Sequence, residues 1–463
     1  MGKIKKTILF IFITFILAGW IGCKFKDTPQ NIIIVSLDTL RADHLSCYGY
    51  QRNTSPNIDL LAKNAIKFSN VFSQSSWTLP SHMSFFTSRY PSFHKVKTTE
   101  HTLNPKIKTL AEILKENGYT TVAFTEGGNL FRIYGFGRGF DIYEEKSKDI
   151  EFTFNQALRW LRKERGNNKF FLFIHTYEIH TPYLRTTFAD PKKRGRLPKT
   201  LKVGDLLYDI MYGRFKLSDK EKDYIRSLYD SGILYADSYI GKLIECLREL
   251  KLMDNTTLLI FSDHGEDLWD HGISPAHGVT LYQDQLHVPV ILYNRRLPYP
   301  KEIDAPVQLI DFMPTLLAIN NIPIPKGLQG KNLLPLIMNK SSIEDKRPIF
   351  SEGTDYGPNR IAVILNGYKY VFIPDPKKTK RDLSIERLKN LEVGLDVNSL
   401  FNLNLDPQEK RNIYSENIEK ARKMHQLIED MYVSKSKTIP EFHLKHFLIN
   451  DQIERLRSLG YIK

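Results

Sequence analysis

The chain has 463 residues, of which 41% are hydrophobic, 12% aromatic and 25% charged, a composition too apolar for disorder and rich enough to bury a core. Its 66 basic residues against 52 acidic ones leave a formal charge of +14, which favours anionic partners such as acidic polysaccharide, phospholipid headgroups or nucleic acid without choosing among them. The three cysteines, Cys23, Cys47 and Cys246, exclude a disulfide scaffold and a cysteine-based zinc site.

Lys3, Lys5 and Lys6 precede an apolar run from Thr7 to Ile21, shorter than the roughly 20 residues of a comfortable bilayer span. The pattern predicts an export signal, and Gly22–Cys23 has the form of a bacterial lipoprotein cleavage site. An uncleaved anchor helix is the alternative. Either way the mature chain is expected outside the cytoplasm, in the cell envelope and tethered to a membrane. Cys47 and Cys246 would then either pair or remain as two buried thiols.

Continuous apolar runs follow at Asn31–Leu37, Thr120–Phe124, Phe170–Ile174, Thr257–Phe261 and Val288–Leu292. Strands hydrophobic on both faces belong to a largely parallel sheet covered by helices. Helices are predicted at Pro56–Phe68, Lys106–Asn117, about Ser218–Leu252 and Val307–Ile319, so the alternation argues for one doubly wound domain. After about Ser341 the alternation fades. Arg360–Leu365 and Tyr368–Ile373 flank Asn366-Gly367, a hairpin signal, and a helix is expected from Asn417 to Tyr432. The division expected is a signal over 1–23, a catalytic domain over 28–340 and a small antiparallel C-terminal subdomain over 345–463. Basic runs at Lys192–Arg196 and Lys377–Arg381 read as solvated loops.

Asp38 directly follows the first strand, and Asp263 with His264 follows Thr257–Phe261 in the same way. Ligands of open α/β sheets bind at the carboxyl ends of strands, so these three metal-competent side chains would converge there. One acid alone would read as a helix cap. Thr78, in Trp77-Thr78-Leu79-Pro80-Ser81-His82, precedes an apolar helix-like stretch and is either a cap or an activated hydroxyl. A helix terminus offers about 0.3 to 1 kcal/mol, whereas a bound metal lowers the pKa of water from about 16 to about 7. Activation of Thr78 therefore needs a metal. No G-x-S-x-G elbow is present, and Gly135-Phe136-Gly137-Arg138-Gly139 lacks the spacing of a nucleotide loop.

The segments Ser36–Tyr50, Ser75–Pro91, His180–Tyr183, Asp254–Glu266, His277–Leu292, Ile310–Ile322 and Leu328–Pro335 together resemble the sulfatase family, and the ending LRSLGYIK is similar to the tail of many members. The family belongs to the alkaline phosphatase superfamily. That resemblance implies an α/β/α sandwich around a central mostly parallel sheet, a small C-terminal antiparallel α+β subdomain, and hydrolase activity. It also implies that Asp38, Asp263 and His264 are metal ligands and that Thr78 is a metal-touching nucleophile. His180 matches a histidine that contacts the transferred group, and His277 stands where many members carry a lysine that assists the leaving group. His271, His175 and His94 are read as structural or rim residues.

The departures bear on the chemistry. Sulfatases convert a Cys or Ser of a C/S-x-P-x-R motif to formylglycine, whereas the positions here read Thr78, Pro80 and His82. Oxidation of a secondary alcohol gives a ketone, so the usual aldehyde hydrate cannot form. A threonine nucleophile resembles instead the superfamily's phosphodiesterases and its phosphoglycerol and phosphoethanolamine transferases. Thr39 replaces the second Asp of the common Asp-Asp pair, and Glu126–Asn129 stands in place of a Lys/His-bearing segment. A single divalent ion is expected, Mn²⁺ or Zn²⁺ for a mixed histidine–carboxylate site, with Ca²⁺ or Mg²⁺ as the alternatives. The expected substrate is an anionic sulfo- or phospho-ester, with phosphoester favoured by Thr78, and nucleic acid is not expected as a partner. The alternatives are a transferase passing a phospho-group to a glycan or lipid, and a non-catalytic binding protein on the same scaffold.

Overall fold

The computed structural model describes residues 31–146, 148–272, 276–299, 301–339, 347–354, 356, 358–374, 396–433 and 450–459. The export signal, the basic run at Lys377–Arg381 and the last four residues lie outside this set. No helix among the described residues is long and apolar enough to cross a membrane.

Nine strands form the main sheet. They are β1 (Asn31–Leu37), β2 (Ile66–Phe72), β3 (Thr120–Phe124), β4 (Ile142–Glu144), β5 (Phe170–Thr176), β6 (Thr256–Phe261), β7 (His287–Tyr293), β8 (Lys301–Ile303) and β9 (Val307–Gln308). Their order is β4-β3-β5-β1-β6-β7-β2-β8, with β9 beside β2. β1 lies at the centre, parallel to β5 and β6 in the registers Ser36↔His175 and Ser36↔Phe261. The one reversed strand is β7, antiparallel to both β6 and β2. A run hydrophobic on both faces has the same appearance in either direction, so only pairing reveals the reversal.

Residues of β1 alternate between two cores, because successive side chains of a strand point to opposite faces. Ile32 and Ile34 join Met83, Phe85 and Phe86 of α2 (Thr78–Thr87), Leu110 and Leu114 of α3 (Leu110–Glu116), and Phe312 and Leu316 of α6 (Phe312–Ile319). Ile33, Val35 and Leu37 join Ile58 and Leu61 of α1 (Pro56–Ala62), Phe154 and Trp160 of α4 (Ile150–Lys163), and Ile233 and Ile240 of α5 (Asp219–Glu249). The result is the expected three-layer α/β/α sandwich.

Two predicted helices prove to be composite. Pro56–Phe68 stops at Ala62, and Ile66–Phe72 turns into β2, whose burial alternates from Ile66 to Ser69 before the register shifts between Phe68 and Val71. Val307–Ile319 starts as the short strand β9, passes through a 3₁₀ turn and becomes helical only at Phe312. Both Cys47 and Cys246 are free thiols, the former half-buried.

The second sheet is antiparallel and four-stranded, in the order β10 (Ile349–Gly353), β11 (Arg360–Leu365), β12 (Tyr368–Phe372) and β13 (Asn398–Asn402). Asn366 (φ 51°) and Gly367 (φ 74°) make the predicted turn, the left-handed pair that a two-residue hairpin of this twist requires. α7 (Ile418–Val433) covers the sheet with Ala421, Met424 and Ile428. The last described helix, α8 (Asn450–Ser458), returns to the main domain. Its Leu456 enters the core beside Leu130 and Phe131, and Arg455 Nη2 lies 3.1 Å from Glu126 Oε2.

Candidate active site and metal centre

The three neighbouring strand ends β5, β1 and β6 supply His175, Asp38, and Asp263 with His264, all fully buried. Thr39, immediately beyond Asp38, takes a left-handed conformation (φ 60°), a costly state for a β-branched residue that surrounding contacts must enforce. Those contacts are present. The Thr39 hydroxyl donates to Asp38 O at 2.7 Å, and Tyr229 Oη donates to Thr39 O at 2.7 Å. Thr39 is thus committed to the backbone turn, and Asp38 alone of the two points its carboxylate at the centre.

Helix α2 brings the fourth group. Phe85 stacks on Phe261 of β6 at 4.4 Å and Phe86 packs edge-on to Phe173 of β5 at 5.0 Å, which seats the helix head over the strand ends. Trp77 is the N-cap and no side chain caps the helix. Thr78 is the first helical residue, and its hydroxyl points elsewhere: Oγ1 donates to Asp38 Oδ2 at 3.2 Å and lies 3.3 Å from His264 Nε2.

The protonation pattern follows from the partners. His264 Nδ1 lies 2.8 Å from Gly265 O, which only accepts, so Nδ1 carries the proton and the Nε2 lone pair faces the acids, 3.3 Å from Asp263 Oδ2 and 3.8 Å from Asp38 Oδ1. Burial drives the His264 pKa down to about 4, so this ring is neutral at physiological pH. Burial likewise holds His175 well below its ordinary range, and its Nε2–H donates to Asp38 Oδ2 at 3.2 Å. Asp38 is pushed well up, first by burial and then by the nearby Asp263 charge. Burial acts in the same sense on Asp263, but His264 and His82 outweigh it and hold that carboxyl below its usual range.

Asp38 Oδ1 and Asp263 Oδ1 are buried without a hydrogen-bond partner, and Asp263 Oδ2 meets ring nitrogens of His82 at 3.2 Å and His264 at 3.3 Å. One ligand atom from each of Asp38, Asp263 and His264 lies within 4.8 Å of the others. Bare anionic oxygens in a dry site are costly unless a cation meets them, so Asp38, Asp263 and His264 fit a divalent metal ion.

The remaining sequence-predicted residues surround this group. His277, the most exposed member, has its ring 4.5 Å from that of His264 and 4.8 Å from that of His180. Its Nδ1 lies 3.3 Å from Glu266 Oε1, while Tyr183 Oη donates to Glu266 Oε2 at 3.3 Å. Burial lowers the His180 pKa to about 3. Of the residues set aside as structural, His94 accepts from Val96 N at 3.0 Å and packs against Ser84, but His175 touches Asp38 directly. His82 and Glu266 were not singled out. His82 lies one helical turn beyond Thr78, a spacing that places both on one face. Its Nδ1–H donates to Thr78 O at 3.0 Å, with Asp263 Oδ2 at 3.2 Å, while Nε2 meets Ser36 Oγ at 2.9 Å. His82 therefore occupies the motif's arginine position and lies against the Asp263 carboxylate.

The sheet, its helical layers and its strand-end cluster define an alkaline phosphatase-like protein. Known proteins bear this out. A family profile described as "Sulfatase" matches residues 30–322, and one described as "N-sulphoglucosamine sulphohydrolase, C-terminal" matches 278–436. Arylsulfatase K of Canis lupus familiaris is 23% identical over 93% of this chain and 86% of its own length. An ulvan-active sulfatase of Formosa agariphila is 23% identical over 70% of this chain and 68% of its own. Among solved structures, a protein in complex with its substrate D-glucosamine-2-N,6-O-disulfate superposes with a TM-score of 0.69 at 17% identity, covering 89% of this chain and 99% of that one. The phosphonate monoester hydrolase of Agrobacterium radiobacter gives 0.68 at 16% identity, covering 88% and 96%. The chain belongs to the sulfatase family and is a sulfatase-like hydrolase.

Proposed function

We propose that this hydrolase cleaves a phosphoester of an anionic glycan or lipid in the cell envelope, with Thr78 as nucleophile and one divalent ion at Asp38, Asp263 and His264. The observation that carries the reading is the Thr78 hydroxyl, buried at a helix head yet aimed at an acid and a neutral imidazole rather than at the backbone it could cap. When bound, the metal supplies Lewis-acid stabilisation of an alkoxide and of charge on the non-bridging oxygens.

The chain's own residues do the rest. Thr78 Oγ attacks phosphorus in line, and its proton leaves by way of Asp38 Oδ2, to which the hydroxyl already donates. The ester oxygen departs as an alcohol on taking a proton from Nε2 of a His277 imidazolium, whose Nδ1–H is held by Glu266. Water then attacks the phospho-threonine and gives a proton to His277 Nε2, the P–Oγ1 bond breaks, Thr78 Oγ1 takes back the proton left at Asp38 Oδ2, and phosphate is released. His82 and His175 hold Asp263 and Asp38 in place throughout. Phosphorus is favoured over sulfur because a plain alcohol nucleophile leaves a sulfate ester with no hemiacetal collapse to release it. The names of the similar proteins support anionic substrates: sulfated sugar in one case, phosphonate monoester in another. The basic n-region and the Gly22–Cys23 pair support export and lipid anchoring.

The test is a parallel assay of the soluble domain on aryl phosphate, aryl phosphodiester and aryl sulfate, with mass spectrometry of the Thr78 peptide. Phosphoester turnover by a chain unmodified at Thr78 is expected. Dominant sulfate turnover by that same unmodified chain would overturn the phosphorus assignment.

A further inference from the structure

Beyond the strand-end centre, the molecule contains a second group of metal-competent side chains. Asp267, His271 and Asp284 present ligand atoms all within 4.8 Å of one another. Asp267 is fully buried and Asp284 is 8% exposed. Asp267 Oδ1 accepts from Asp270 N at 3.0 Å, and Asp284 Oδ2 lies 2.9 Å from His271 Nδ1. The other two oxygens, Asp267 Oδ2 and Asp284 Oδ1, are buried with no hydrogen-bond donor at all.

The histidine's tautomer decides what the group can hold. His271 Nε2 lies 2.9 Å from Gln408 O, and a carbonyl only accepts, so Nε2 carries a proton. A neutral ring then presents its Nδ1 lone pair toward Asp284, the arrangement of a metal-ligating histidine steadied through its other nitrogen. The ring is also fixed in orientation, stacked on Tyr282 at 3.6 Å with 5° between planes. A doubly protonated ring would satisfy Asp284 Oδ2 but leave the two bare oxygens unanswered. A cation among all three residues answers them together.

We propose that Asp267, His271 and Asp284 form a second divalent-cation site, with a mixed imidazole–carboxylate donor set suited to Zn²⁺ or Mn²⁺. The site closes the base of the excursion between Asp267 and Asp284, which carries His277. An isolated antiparallel bridge from Asp267 to Ala276 already pins part of it. The same base touches the C-terminal subdomain, where Gln283 N donates to Glu409 Oε2 at 2.7 Å and Lys410 donates to Asp270 O. It abuts the strand-end centre as well: Gly265 N donates to Gln285 O at 2.9 Å, and a Cβ at Gly265 would stand 2.0 Å from Asp284 O. The cation would therefore hold the His277 segment in register with His264 without touching the reacting atoms.

Metal stoichiometry of the full chain, dialysed against Zn²⁺ and then metal-free buffer, tests the assignment. Two equivalents per wild-type chain are expected, one in Asp284→Asn and one in Asp38→Asn. Limited proteolysis between Asp267 and Asp284 should speed up in Asp284→Asn and in the Zn²⁺-stripped wild type. A single equivalent that survives Asp284→Asn and vanishes in Asp38→Asn would overturn the second site. A single equivalent with the opposite behaviour would uphold it and overturn the strand-end metal instead, so the two readings fail separately. Anomalous scattering at the zinc edge from wild-type crystals needs no variant to fold: a peak among Asp267, His271 and Asp284 supports the site, and its absence beside an occupied strand-end centre refutes it.

Discussion

The two acid–histidine groups of this protein have the same formal donor set, two carboxylates and one imidazole, but different surroundings. At Asp38, Asp263 and His264 the donors come from two neighbouring strands, and a helix lowers a hydroxyl onto them. At Asp267, His271 and Asp284 the side chains close one excursion of the chain, and the neighbours of the imidazole are a tyrosine ring and a backbone carbonyl. On the readings proposed above, a cation-binding set becomes a reaction centre by what else the fold delivers. Thr78 marks the difference.

The sharpest way to break this contrast is Thr78→Ala. Turnover should fall about 10⁴-fold or more, as when a nucleophile acting within a unit is removed, while metal content at both groups stays within a few-fold of wild type. If kcat on the phosphoester survives, the hydroxyl is not what separates the groups. A smaller effect is expected from His82→Ala, which removes the nitrogen beside Asp263 without touching a donor at the other group. Affinity for the strand-end ion should weaken about 10- to 100-fold, and competition with a chelator dye should show the second equivalent unmoved.

The smallest effect concerns Glu126, a buried acid answered by Arg455 rather than by a metal. Burial lifts its pKa to about 7 even though Arg455 opposes the shift. The folded-state value exceeds the roughly 4.3 of an unfolded glutamate, so its contribution is fully present below that pH and is lost as pH rises through about 7. Denaturant titrations at pH 5 and pH 8 should show stability falling by up to about 1.4 kcal/mol per pH unit across this window, with a shallower slope in Glu126→Gln. Equal slopes would mean that Arg455 neutralises the carboxylate as completely as a metal would.

The sequence made the central sheet readable because β1, β3, β5 and β6 are unbroken apolar runs, and Asp38 and Asp263-His264 follow two of them directly. Thr78 was readable from its motif. His175 and Glu266 were not, since a polar residue inside a strand end or loop finds its partner only through tertiary packing. His82 offered one cue, its spacing of one helical turn from Thr78. β2 escaped because Ile66 and Phe68 also fit an extension of α1's apolar face. The reversal of β7 escaped because hydrophobicity carries no direction.

The return of α8 to the main domain has a consequence for biosynthesis. Leu456 and Arg455 complete the packing around Gly127–Phe131, a region whose own residues leave the ribosome more than three hundred positions earlier. Domains tend to fold as they emerge, yet here an early-made layer waits for a much later helix. A carboxy-terminal truncation or bulky fusion upstream of Arg455 would leave an apolar notch open on an otherwise finished domain, exposing newly made chains to aggregation.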